Sequence, residues 1–206
     1  MSTEIQPLVE TPASTAAAWR PYRLTVGQFL AMIDAGIFPD DAHVELLGGI
    51  LVRMMTKGNP HDYTLGMISE ELRRSIPDGW FLREDKSLQI GPRSRPEPDV
   101  AIVRGPRKQY SKRTPHARET ALVVEVSESS HAYDRGEKWR AYAAARIPIY
   151  WIVNLGKSQV EVYTEPIGRG QKASYRECAT FGVDAEVPVV IDGGEVGRIA
   201  TREIFG

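Results

Sequence analysis

The sequence predicts an α/β (α+β) domain, a mixed central β-sheet flanked by helices. Three observations carry this. Ala121-Leu122-Val123-Val124-Glu125-Val126 is almost wholly apolar, as a strand buried on both faces must be. Stretches with apolar residues at helical spacing stand before and after it. Short β-rich runs separated by turn residues fill much of the second half, and no internal repeat is present.

The elements follow in order. Thr25 can cap a helix carrying Phe29, Leu30 and Ile33, and Gly36 stops it. Val44-Glu45-Leu46-Leu47 and Ile50-Leu51-Val52-Arg53-Met54 flank Gly48-Gly49 and read as a tight hairpin. After a loop over Lys57 to Pro60, a second helix starts near His61, with Leu65, Ile68 and Leu72 on one face. Trp80-Phe81-Leu82, Leu88-Gln89-Ile90 and Asp99-Val100-Ala101-Ile102-Val103 are strand candidates, and Arg104 to Arg118 reads as a long polar loop. A third helix is predicted over Ala132 to Ala145, then a strand over Ile149 to Val153. Val160 to Tyr163 and Ser174 to Glu177 alternate and can pair. Val187 to Ile191, a turn at Asp192-Gly193-Gly194 and a short tail complete the chain.

At 206 residues this is one domain, read as 21–206. Residues 1–20, rich in Ser, Thr, Pro and Ala at the start, read as a flexible N-terminal segment. The lone Cys178 excludes an intramolecular disulfide framework. No apolar run approaches the ~20 residues of a membrane helix, so no membrane partner is expected. The first 17 residues hold Glu4 and Glu10 and no basic residue, unlike a signal or transit peptide. A cytoplasmic protein is therefore expected. The net charge of −1 does not announce a nucleic-acid binder. Residues 91–118, however, carry +6 while the rest of the chain carries −7. A basic loop beside the Asp99 strand could clasp phosphates; a solvated loop is the other reading. Gly168-Arg169-Gly170 lacks the strand-to-helix context of a phosphate loop, and the four histidines are scattered.

Three carboxylates and a lysine stand out. Asp99 opens an apolar strand directly after Pro98, and Glu125 sits inside one. A lone buried carboxylate costs several kcal/mol unless it is paired, protonated or metal-bound. Two such groups on adjacent strand ends offer hard oxygen ligands to a divalent cation. Other readings remain: Asp99 capping the turn after the prolines, Glu125 in a structural ion pair, Glu45 as a surface hairpin residue. Lys138 lies four residues after Asp134 and four before Tyr142, which suits a helix-stabilising pair as well as a catalytic one.

Taken in order, these pieces resemble the PD-(D/E)XK, or restriction-endonuclease-like, nuclease superfamily, and within it the Uma-two family. The matching series is Val44 to Leu51, His61 opening a helix, Pro96-Glu97-Pro98-Asp99-Val100, Leu122 to Ser127, Tyr133-Asp134-Arg135, Lys138, Tyr142 and Ile147 to Val153. The resemblance implies a restriction-endonuclease-like sheet and metal-dependent cleavage of DNA phosphodiester bonds to give a 5′-phosphate. It implies Glu45, Asp99 and Glu125 as metal ligands, Mg²⁺ as cofactor (Mn²⁺ as substitute), and Lys138 as the catalytic lysine. It also suggests a homodimer, for which Tyr163 and Tyr175 are interface candidates, with cross-strand packing the other reading of both. One position departs from the superfamily pattern: Ser127 stands two residues after Glu125, where the lysine of the E-x-K signature belongs. A degenerate nuclease fold that binds nucleic acid or protein without cutting is the alternative.

Overall fold

The computed structural model describes residues 21–39 and 42–205; the predicted N-terminal segment lies outside them. Its centre is a six-stranded sheet of β3 (Trp80–Glu84), β4 (Val100–Arg104), β5 (Thr120–Ser127), β6 (Ile149–Asn154), β7 (Gln159–Ile167) and β8 (Ser174–Phe181), in that spatial order. Every neighbouring pair is antiparallel except β5–β6. A parallel pair needs a crossover, and the segment between β5 and β6 supplies a helical one.

Two layers cover the sheet. On one face lie α2 (Asn59–Ser75) and, behind it in sequence, the hairpin β9 (Glu186–Ile191)–β10 (Gly194–Ala200) and helix α5 (Thr201–Phe205). Leu65, Ile68 and Leu72 of α2 and Val187, Val189 and Ile199 of the hairpin pack there on Val100, Ile102, Leu122 and Val124. The crossover covers the other face, where Tyr142 and Ala143 pack on Ala101, Val123, Tyr150 and Ile152. Helix α1 (Val26–Asp34) lies outside, on the hairpin β1 (Val44–Leu47)–β2 (Ile50–Arg53), around Val26, Phe29 and Leu46.

Local signals account for much of this. Thr25 makes a capping box with Gln28 at the start of α1. Gly48 and Gly49 both have positive φ, 57° and 81°, as a two-residue hairpin turn that matches strand twist requires. A Cβ at Gly49 would stand 2.8 Å from the Arg23 Cβ, so this turn also lets the chain before α1 pass close by.

Three expectations are corrected. Leu88-Gln89-Ile90 is not a strand; Gln89 makes one isolated bridge to His116. Leu88 and Ile90 instead bond back to the carbonyls of Pro96 and Ser94, so the chain folds on itself while both side chains enter the core. The short tail is β10 plus α5, and Ile199 and Ile204 are buried. The third helix is not uniform. It runs as α3 (His131–Tyr133), a wider π turn (Asp134–Lys138) and α4 (Trp139–Ala144). Among the described residues no helix is long and apolar enough to cross a membrane.

Candidate active site

The antiparallel register places Val100 opposite Val124, which sets Asp99 against Glu125 on the sheet face that the crossover covers. Both line one pocket of about 350 Å³ at this end of the sheet. The chain from β2 into α2 forms one wall and the start of the crossover the other, and Lys138 reaches the floor. The floor is recessed: Asp99, Glu125 and Lys138 are 4%, 2% and 2% exposed.

Each carboxylate has a dense set of partners. Asp99 accepts from the Val126 backbone N–H at 2.7 Å and from Lys57 Nζ at 2.7 Å, and His61 Nε2 lies 3.2 Å away. Lys57 also pairs with Asp85. Burial opposes ionisation of Asp99, but His61 and Lys57 outweigh it and hold the carboxyl down at about 2. Burial likewise opposes a charged His61, yet Asp99 keeps its pKa above the usual value.

Glu125 accepts from the Tyr142 hydroxyl at 2.7 Å and stands 3.0 Å from Lys138 Nζ. Its carboxyl is pushed well up, first by burial and further by Asp99, Asp134 and Glu45, with Lys138 opposing. Burial works against a charged Lys138, but the surrounding carboxylates, Glu125 first, raise its pKa. The lysine therefore keeps its proton.

Glu45 is fully buried and is not part of the pocket wall. It accepts from the Tyr133 hydroxyl at 2.9 Å and the Glu97 backbone N–H at 3.1 Å, and it faces Lys138 Nζ at 3.8 Å. The lysine head stands near both Glu45 and Glu125. Asp99 and Glu125 thus share the pocket floor, and Glu45 stands behind Lys138 rather than beside them. Among the described residues no three His, Cys, Asp or Glu side chains gather around a single metal position.

The departure at Ser127 has a structural counterpart. Its hydroxyl donates to Asp134 Oδ2 at 2.6 Å, and Ser130 donates to the same oxygen. The Tyr150 hydroxyl donates to the Asp134 carbonyl at 3.0 Å. These bonds hold the π turn against the strand end, and Lys138 closes that turn. The residue standing where the strand lysine belongs thus anchors the helix that brings a lysine in. A π turn within an α-helical run is a common device at functional sites.

Further along the same face, Glu125 pairs with Ile152 and Ile152 with Glu161. Glu161 is buried, accepts from the Tyr163 hydroxyl, and stands 3.2 Å from His131 Nε2 and 3.5 Å from Arg135 Nε. It thereby ties down the start of the crossover. Burial raises its pKa, but the Tyr163 and His131 contacts prevail and lower it below 4.5. A depressed carboxylate stabilises the fold fully above its unfolded pKa, and that contribution fades as pH falls through the folded value. Glu161→Gln should cost about 1–2 kcal/mol at pH 7 and less once the pH falls below 4.5. Urea unfolding at both pH values checks this, and a pH-independent difference would refute it.

Lys57, and the contact of His61 with Asp99, were not anticipated. His61 was legible in principle: it lies on the stripe of Leu65, Ile68 and Leu72, where a polar side chain needs a partner. Nothing local marks Lys57. Of the basic segment 91–118, the part after Arg104 lies away from the site. Residues 105–119 join the far end of β4 to the start of β5, about 17 Å along the strand from Asp99. Arg113 is held there by Glu119, and Arg104 by Asp192. Tyr163 and Tyr175, read as interface candidates, are buried beside Tyr150 and Trp139.

A mixed six-stranded sheet with one parallel pair, covered by helices on both faces, defines a restriction-endonuclease-like fold. The chain belongs to the Uma2 family, whose model, described as "Putative restriction endonuclease", matches residues 26–191. A solved structure from Anabaena variabilis, described as a "putative nuclease belonging to DUF820", shares the fold at a TM-score of 0.63 and 14% identity. The match covers 88% of this chain and 97% of that one. Comparison with the curated proteins gives no match.

Proposed function

We propose that the chain is a Mg²⁺-dependent endonuclease that hydrolyses DNA phosphodiester bonds. The observation that carries this is the pairing of Asp99 and Glu125 on one pocket floor with Lys138 Nζ 3.0 Å from Glu125. The donor set fits the cation: Mg²⁺ takes one or two carboxylates and completes its shell with water and substrate phosphate. Asp99 and Glu125 would hold it, with Mn²⁺ as a substitute. When bound, it supplies a polarised phosphoryl oxygen and a water of lowered pKa.

The chain's own groups do the rest. His61, Lys57 and the Val126 N–H keep Asp99 ionised and aimed, and Tyr142 fixes one oxygen of Glu125. Lys138 presents a fixed ammonium to charge developing on the phosphoryl group, which stabilises a transition state better than a mobile one. Glu45 acts behind it, holding the ammonium in place rather than ligating the metal.

The alternative is a nuclease fold that binds without cutting; Lys57 Nζ seated directly on Asp99 is the feature that favours it. Purified protein incubated with plasmid and with single-stranded DNA, in Mg²⁺, Mn²⁺ or EDTA, separates the two. Metal-dependent cleavage leaving 5′-phosphates is expected. Calorimetric Mg²⁺ binding with no turnover on either substrate would replace it with the binding module.

A further inference from the structure

The recessed floor restricts what can reach it. Above Asp99 and Glu125 the walls carry apolar surface, with Val52, Met54 and Met55 on one side and Ala132 and the Tyr133 ring on the other, next to the polar Glu128, Ser129 and Ser130. Met55 stands at the wall 65% exposed. Arg53 is exposed beside it, with no carboxylate partner among the described residues. In a stacked duplex the bases point inward, away from the phosphates. A duplex phosphate lowered to this floor would set sugar and charge against the apolar walls. An unstacked nucleotide satisfies both regions: its phosphate lies over the floor and its base lies against thioether and aromatic surface, which pack well together. A cavity of this size sits at the small end of ligand pockets and suits one nucleotide unit rather than a length of helix.

We propose that this pocket takes one unstacked nucleotide of single-stranded DNA, with its base against Met54 and Met55 and a neighbouring phosphate on Arg53. This rests on reading the site as one for phosphodiesters, and it names the form of DNA that enters. Enzymes that act on a single nucleotide in a closed pocket work on single strands or pay to unstack the base, and a single strand avoids most of that cost.

Fluorescence anisotropy with a labelled 12-nucleotide single strand and the matching duplex tests it, in EDTA so that no cleavage intervenes. The full chain should bind the single strand about tenfold more tightly than the duplex. Met55→Ala should weaken single-strand binding about five- to tenfold, the scale of one lost sulfur–aromatic contact, and leave duplex binding unchanged. Arg53→Ala should lower the slope of log affinity against log salt by about one. Equal affinity for both forms, or an equal loss on both with Met55→Ala, would overturn the proposal. Cleavage measured in parallel keeps the two readings apart. Duplex cut as fast as single strand refutes the nucleotide pocket and leaves the nuclease standing. Single-strand preference without turnover refutes the nuclease and leaves the pocket standing.

Discussion

Glu125→Gln and Asp99→Asn should each lower metal-dependent cleavage about a thousandfold, because losing several kcal/mol of transition-state stabilisation has that effect on rate. Their effects on stability should differ. The Glu125 carboxyl is pushed up by burial and by neighbouring carboxylates, so the metal-free fold already disfavours its charge. A glutamine keeps the shape and can still accept from Tyr142, and the unfolding free energy should change little. Asp99 is the reverse case. Held at about 2 by His61 and Lys57, it contributes most as an anion, and an asparagine leaves both cations under-compensated. Asp99→Asn should therefore lose activity and also about 3 kcal/mol of stability. Cleavage rates, calorimetric Mg²⁺ affinity and urea unfolding on both variants check the pattern. Cleavage surviving in Glu125→Gln would remove the metal site from the account.

The contrast shows what a sequence can and cannot carry. Asp99 after Pro98 and Glu125 within an apolar strand were visible because each breaks a local rule: a charge stands where the pattern demands burial. Their shared face follows from strand register, which the order of elements restricts but does not fix. Glu45 broke no rule by itself, since an acid in a short hairpin strand is ordinary; its burial comes from tertiary packing, with Tyr133, Lys138 and the Glu97 N–H all against it. Leu88 and Ile90 alternate like a strand, yet they are core residues of a loop braced by the carbonyls of Pro96 and Ser94, and periodicity alone cannot separate the two. The last hairpin strand was missed because Gly194 to Ala200 has little apolar alternation; Ile199 alone is deeply buried. The basic loop illustrates a different limit. Its charge is real, but a loop between antiparallel strands lies at the end opposite the one where β4 begins and β5 finishes. Topology, not composition, sets it apart from the site.

Lys138→Met should lower stability by about 3–5 kcal/mol in EDTA and abolish cleavage. On the sequence alone, an Asp134–Lys138 pair four residues apart predicts only a few tenths of a kcal/mol. The structure changes that expectation. The ammonium is buried among Glu125, Glu45 and Asp134, at 3.0, 3.8 and 4.0 Å, so its removal leaves carboxylates buried without a counter-charge. Stability loss and catalytic loss would then be confounded in a single variant, and a double-mutant cycle separates them. Glu45→Gln in the Lys138→Met background removes one of the stranded carboxylates, so the double variant should unfold later than Lys138→Met alone. A coupling of about 1–3 kcal/mol is expected for groups in one buried network. Cleavage should stay absent in both variants that lack Lys138, and Lys138→Arg should not restore it, because a planar fork does not replace a point charge in a closed site. Additive stability changes, with a loss under about 1 kcal/mol for Lys138→Met, would place the lysine in solvent as a partner of Asp134 only. Cleavage retained by Lys138→Met but lost by Glu125→Gln would leave the metal site in place and end the case for a lysine supplied from the crossover helix.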